Sequence, residues 1–359
     1  MTVDGTGTRV DERPFGRTDD GTAVSAFDLV RETDTGEVRA TVLSYGGRLQ
    51  SLVAPDRDGR PGEITLGYDD LAGYLADTAF LGATVGRFAN RIADARFALD
   101  GTVHELPAND GSSSLHGGPD GFHARVWVAE PVPDGVALRL HSPDGDAGYP
   151  GALEVVLTVR LDATGLWWEY RAVADAPTVV NLTNHAYWNL AGSGTVADHL
   201  LEVAAGTFLP VDERGIPLDG PAPVEGSPLD LRRPVRVGDV VAAEHPQLRA
   251  VGGGVDHCYV VDGRAPGPGG LPLVARLADP GSGRTLTLAS DEPGVQVYTG
   301  VTLDGTLVGR GGRTLHRGAG LCLETQHWPD SPNRREFPST VLRPGDVLTT
   351  RTVVALGVG

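Results

Sequence analysis

The stretch "GALEVVLTVRLDATGLWWEYRAVAD", residues 151–175, decides the class of fold. Val156, Thr158 and Arg160 alternate with Leu157, Val159 and Leu161, the period-2 pattern of a strand with one buried face. The turn Asp162-Ala163-Thr164-Gly165 then leads into a second strand-like run with the aromatic residues Trp167, Trp168 and Tyr170. Two long strands joined by a tight turn predict an antiparallel pair.

The same signals continue outward in both directions. "EVRATVLSYGGRLQSLVAP" (37–55) is a strand pattern broken at Gly46-Gly47, where a bulge or tight turn fits. "LPLVARLADPGSGRTLTLASDEPGVQVYTG" (271–300) and "DVLTTRTVVALGV" (346–358) read as further strands with Gly/Pro/Asp turns. The best helical segment is short, "DDLAGYLAD" at 69–77. The Pro/Gly-rich runs at 211–234 and 262–272 read as loops, because strand patterns resume on either side. No repeat period points to a solenoid or propeller. The expectation is an all-β chain, a large antiparallel β-sandwich with few short helices. It is read as one domain over residues 1–359, with 1–14 as a loose N-terminal extension.

Composition narrows the function. The 359 residues carry a net charge of −17, and every basic residue is Arg. With no broad basic face, neither nucleic acid nor an anionic membrane is an expected partner. The start "MTVDGTGTRVDERPFGRTDDG" has no apolar core of a signal peptide, and no run of about 18 apolar residues occurs. Cys258 and Cys322 form neither a disulfide framework nor a zinc-ligand spacing. A soluble, cytoplasmic protein is expected.

Five short stretches crowd polar and ionisable groups into strand or turn contexts. They are "GRFANRI" (86–92), "SLHGG" (114–118), "NLTNHAYWNL" (181–190), "GVDHCYVV" (254–261) and "CLETQHWPDSPN" (322–333). Each has a plain structural explanation. Arg91 can be a surface ion-pair residue, His116 a turn cap, and Asp256 and His257 partners of each other. Tyr187 and Trp188 would ordinarily be core aromatics. Glu324 resists such a reading: alternation puts it and Cys322 on one strand face, with Leu321 and Leu323 on the other. A buried carboxylate is costly unless it lines a cleft, where it becomes a base with a tunable pKa. His185, in a run of Asn and Thr, is an acid/base group of matching range. Hydrogen-bonding residues around one such pair are the vocabulary of a sugar site. A metal site built from His116, His185, His257 and Glu324 has no supporting local spacing.

Taken in order, these stretches, together with "GVQVYTG" (294–300), resemble the aldose 1-epimerases, also called galactose mutarotases. "APDRDGRPGEITLGYDDLAGYL" (54–75), "DGDAGYPG" (144–151) and "FPSTVLRPGD" (337–346) are similar to further family segments, so the likeness covers nearly the whole chain. The resemblance implies the family's β-sandwich with the sugar in an open cleft across one sheet. It implies Glu324 as general base and His185 as general acid. It places Asn90, Arg91, His116, Tyr187, Asp256 and Gln296 against the sugar. Ring opening and reclosure move only protons, so no cofactor and no metal are expected. The implied substrate is a free aldose such as galactose or glucose. Independently of the resemblance, a monomer or weak homodimer is expected. Pro/Gly-rich insertions near 217–228 and 265–272 are expected to shape the cleft rim.

Three alternatives stay open at this level. A hexose-phosphate epimerase would need extra arginines at the rim, for which Arg232, Arg233 and Arg236 are candidates. A glycosidase would use Glu324 and Asp256 as its two carboxylates. A non-catalytic sugar-binding protein would have no use for the His185/Glu324 pair.

Overall fold

The computed structural model describes residues 7–263 and 265–359. The two runs within 151–175 form the strands Leu153–Leu161 and Leu166–Ala174, paired antiparallel from Leu161↔Leu166 outward. They lie inside a nine-stranded antiparallel sheet. Gly135–Ser142 and Val128–Val132 flank them on one side; Leu348–Val358, Arg284–Ser290 and Leu273–Ala278 follow on the other.

A six-stranded sheet packs against this wide sheet. Its order is Tyr187–Trp188, Leu321–Gln326, Gly294–Tyr298, Asp256–Val260, Thr207–Phe208 and Ala222–Pro223. Val295, Val297, Leu321 and Leu323 point from it into the shared core, where they meet Leu157, Val159, Tyr170 and Val354 of the wide sheet. This is the sandwich expected from the alternation. The helices are short: Leu71–Leu75, Val237–Ala242 and Pro246–Ala250. Asp70 caps the first by accepting the Gly73 N–H at 3.0 Å. Among the described residues, no helix is long and apolar enough to cross a membrane.

A five-stranded meander covers one end: Arg9–Arg17, Ala23–Thr33, Gly36–Leu43, Arg48–Pro55 and Pro61–Glu63. Residues 9–14 are therefore not a loose extension. They begin the strand Arg9–Arg17, which pairs with Ala23–Thr33 from Arg9↔Val30 to Arg17↔Ala23. An outer strand bonded along one edge and mostly exposed carries little hydrophobic signal, which hides it in the sequence. Residues 1–6 lie outside the described residues. Gly46 sits in the left-handed region (φ 69°), where a Cβ would collide with the His123 carbonyl. Only glycine allows that approach.

The two insertions are elsewhere than expected. Around 265–272 the chain folds over Trp167 on the outer face of the wide sheet, with Gly269 against the indole. In 217–228, Ala222–Pro223 adds an edge strand to the six-stranded sheet, and Arg334 binds the carbonyls of Pro217 and Leu218. Neither segment lines the cleft; residues 213–215, just before the second, do line its outer part.

Two groups within the polar stretches hold the frame. The buried Arg87 guanidinium donates to the carbonyls of Pro150 (3.0 Å), Gly151 (2.8 Å), Ser142 (3.1 Å) and Pro143 (3.2 Å). It also reaches the hydroxyls of Ser142 and Thr178. Asp330 accepts the Ala93 N–H at 3.0 Å, and its own N–H donates to the Arg91 carbonyl at 2.8 Å. Replacing Arg87 strands several buried carbonyls, each costing about 1–3 kcal/mol. Arg87→Met should lower unfolding stability by about 3 kcal/mol or more, read by urea denaturation; an unchanged midpoint would show that these bonds are replaceable.

Candidate active site

The face of the six-stranded sheet turned away from the core forms the floor of a cleft. Antiparallel pairing sets Tyr187 opposite Cys322, Cys322 opposite Tyr298, and Tyr298 opposite Asp256. One step along the strands, Glu324 lies opposite Gln296, and Gln296 opposite Cys258. Paired residues project to the same side. Four separate strands thus deliver Tyr187, Glu324, Gln296 and Asp256 to one surface.

The walls come from backbone in less common conformations. Thr183–His185 pairs with Ala83–Val85, and His185 is fixed further by a Gly82 N–H bond to its carbonyl. Arg91–Ile92 pairs with Ser114–Leu115. Asn90 and His116 flank that pairing, both left-handed (φ 66° and 54°). They lock each other: the His116 N–H donates to the Asn90 carbonyl, and the Asn90 N–H donates to His116 Nδ1, both at 3.1 Å. The amides of "NLTNHAYWNL" tie these walls together. Asn181 bonds the Ala89 and His327 carbonyls, Asn184 the Gly82 carbonyl, and Asn189 the Ala319 carbonyl. The polar crowding there is mostly side chains holding backbone.

The cleft, of about 490 Å³, is lined by all eight residues singled out from the sequence: Asn90, Arg91, His116, His185, Tyr187, Asp256, Gln296 and Glu324. Its size suits a small polar ligand. His185 Nε2 lies 3.7 Å from Glu324 Oε1, with both residues buried. Gln296 donates to Asp256 at 2.6 Å. Arg91 is held by Asp110 at 2.7 Å and faces Asp256 at 3.8 Å. Glu324 Oε2 and Gln296 Oε1 have no hydrogen-bond partner among the described residues.

Burial governs the titrating groups. It pushes the Glu324 carboxyl well above its ordinary range; Asp256 adds to the shift and Arg91 opposes it. Burial also pulls His185 down to about 4. His116 is driven well down by burial, then by the neighbouring His185 and Arg91. Burial works against the charge on Arg91, but Asp256 and Asp110 outweigh it and hold its pKa above the usual value. Both histidines are therefore neutral at pH 7.

Among the described residues, a metal would have to use His116, His185 and Glu324, whose ligand atoms lie within 4.8 Å of one another. The hydrogen bonding of His116 opposes this. Its Nδ1 accepts the Asn90 N–H, so in the neutral ring Nε2 carries the proton and has no lone pair to offer. That Nε2–H suits a sugar oxygen.

Several lining residues carried no functional sequence signal. Phe80, left-handed at φ 58°, packs against the rings of His116 (4.8 Å), His123 (4.7 Å) and His185 (5.8 Å). It is set by Asp77, whose carboxylate binds Arg48, the Tyr68 hydroxyl and the N–H groups of Ala79 and Leu81. Asp110 arrives on a turn. Tyr298 could have been found, since it shares a strand face with Gln296. His257 faces away from the cleft, toward Phe208 and Gln247. Arg232 and Arg236 are bound to Asp230 and Asp198, and Arg232, Arg233 and Arg236 do not line the cleft.

The aldose 1-epimerase family model matches residues 28–355. Galactose mutarotase of Homo sapiens is 42% identical over 328 residues, 91% of this chain and 92% of its own. Aldose 1-epimerase of Escherichia coli K12 is 36% identical over 317 residues, 87% and 90% of the two chains. The crystal structure of galactose 1-epimerase from Lactobacillus acidophilus superposes with a TM-score of 0.84 at 28% identity, covering 98% of this chain and 99% of that one. The chain belongs to the aldose 1-epimerase family.

Proposed function

We propose that this protein interconverts the α and β anomers of a free aldose, galactose and glucose being the first candidates. The observation that carries the reading is the buried His185–Glu324 pair, 3.7 Å apart on the cleft floor with hydrogen-bonding groups around it. Anomer interconversion needs one pair of proton transfers to open the ring, a bond rotation, and the reverse pair to close it. The anomeric hydroxyl gives its proton to Glu324 while the ring oxygen takes one from His185 Nε2, and the C1–O5 bond opens. Rotation about C1–C2 presents the other carbonyl face. Reclosure returns one proton from Glu324 to the carbonyl oxygen and the other from the former ring hydroxyl to His185.

The pair holds one proton throughout. As carboxylate and imidazolium it is ready to open the ring; as carboxyl and neutral imidazole it is ready to close it. Burial favours the uncharged form. Arg91 and hydroxyl donors of a bound sugar stabilise the ionised carboxylate. Asn90, Arg91, His116, Tyr187, Asp256 and Gln296 are assigned to holding the ring. His116 donates through Nε2, and Gln296 and Asp256 act as a linked pair.

A phosphorylated substrate fits less well. Arg91 faces Asp110 and Asp256, and Arg214, in the outer part of the cleft, is bound to Asp94 and Asp212. The cations lining the cleft are thus already neutralised, and Glu213 adds negative charge. Site residues from one chain suffice, so a monomer or weak homodimer is proposed. Two free, buried thiols fit a reducing compartment such as the cytoplasm.

Polarimetry on freshly dissolved α-D-galactose and α-D-glucose tests the reading. Glu324→Gln and His185→Asn should each lose about 10²–10⁴-fold in kcat while remaining folded; no acceleration by the wild type on any free aldose would sink it. A hexose phosphate should show kcat/KM at least about tenfold lower, from like-charge repulsion. The rate should fall as pH drops through about 4, where His185 gains a second proton for the pair. It should fall again at high pH as the shared proton is lost.

The same burial has a stability consequence. A carboxyl raised on folding binds more protons folded than unfolded, so stability declines as pH rises above the unfolded value near 4.5. Glu324→Gln should therefore melt higher than wild type at neutral pH, and the gain should vanish in acid. A lower melting temperature at pH 7 would contradict it.

A further inference from the structure

We propose that Cys322 is a positioning residue for His185: its sulfur accepts the Nδ1 proton and so keeps Nε2 directed at Glu324. This rests on the reading of His185 as a proton-transfer group. Cys322 Sγ lies 3.5 Å from His185 Nδ1, within hydrogen-bond range for sulfur, and both residues are buried. The other ring nitrogen, Nε2, faces Glu324 Oε1 at 3.7 Å.

Strand geometry explains the match. Cys322 and Glu324 are same-face neighbours on Leu321–Gln326, about 7 Å apart along the strand. An imidazole laid between them touches the sulfur with one nitrogen and the carboxyl with the other. The rings of Tyr187, Tyr298, His116 and Phe80 pack around His185 and limit its rotation. The charged groups Asp77, Asp256 and Arg48 act on it only at longer range.

The direction of the hydrogen bond follows from donor strength. An imidazole N–H is a good donor and a thiol S–H a weak one. Burial and Glu324 raise the Cys322 thiol well above its usual range, so the sulfur stays uncharged. The backbone carbonyl of His185 also favours a proton on the ring, and a carbonyl can only accept. With Nδ1–H fixed, Nε2 is the one basic nitrogen, and the pair's mobile proton can travel only between it, Glu324 and the sugar. A carboxylate in the place of Cys322 would hold the imidazolium too tightly to release its proton. A neutral sulfur orients the ring without doing so.

The test joins NMR of the imidazole nitrogens with kinetics. In the resting wild type at neutral pH, His185 should be neutral with its proton on Nδ1. Cys322→Ala should move the ring toward the Nε2–H form, lower kcat about tenfold at unchanged KM, and shift the acid limb of the pH profile. Cys322→Ser, which restores an acceptor, should recover the Nδ1–H signal and most of kcat. An Nε2–H signal in the resting wild type overturns the proposal, and so does a Cys322→Ala enzyme with unaltered tautomer and kcat. If the wild type accelerates no anomerisation, the proposed function fails instead, while the tautomer measurement still decides the role of Cys322. The wild-type signal decides it too if a variant does not fold.

Discussion

Everything at the cleft depends on the hydrogen-bonded register of four short strands: Tyr187–Trp188, Leu321–Gln326, Gly294–Tyr298 and Asp256–Val260. A slip of one residue in any of them would turn its cleft-facing groups into the core and its core-facing side chains into the cleft. The core prevents this. Leu321, Leu323, Val295 and Val297 interlock with the wide sheet, and moving them out would forfeit about 1.5–3 kcal/mol for each side chain. Apolar packing on one side of the sheet thus fixes the positions of acid and base on the other. The site needs little covalent or ionic anchoring of its own.

That arrangement also explains what could be read from the sequence. Glu324 stood out because alternation with two leucines put a carboxylate inside a strand, a conflict that only a cleft resolves. His185 stood out by the density of amides around it, and those amides do tie backbone to backbone. Phe80 was invisible. Its role depends on a left-handed residue held by Asp77, which is bound in turn to Arg48 far away in the chain. Periodicity carries no trace of such an arrangement. Within the same motifs, Arg87 and Asp330 look as functional as Arg91 but serve the frame. Residue type cannot separate them; only the partners can. The Pro/Gly-rich insertions were misplaced for a similar reason, since composition marks a loop without saying which face it covers.

The electrostatics of the floor run against stability. A carboxyl and an imidazole are both buried, and neither has a full set of partners within the protein. Sharing a single proton keeps the pair from carrying net charge in either of its two forms. This removes most of the desolvation cost that an isolated charge would incur. The compromise is local: Arg91, with its two aspartates, supplies the nearby charge, and Phe80 and the tyrosines keep the surroundings apolar.

Asp330 reaches back across 237 positions of the chain to the N–H of Ala93, clamping the segment that follows Glu324 to the one that carries Arg91. The two sides of the cleft are therefore joined by one of the most sequence-distant contacts in the molecule. Contacts of that separation form slowly, since a long loop must close before they are rewarded. During synthesis the strand bearing Glu324 also leaves the ribosome long after Arg91. The wide sheet can begin to zip from its central hairpin, but the cleft waits for nearly the whole chain. The strand Leu348–Val358, which joins the two halves of the wide sheet, comes later still, so sheet and cleft are completed together and chemical competence is acquired late in folding.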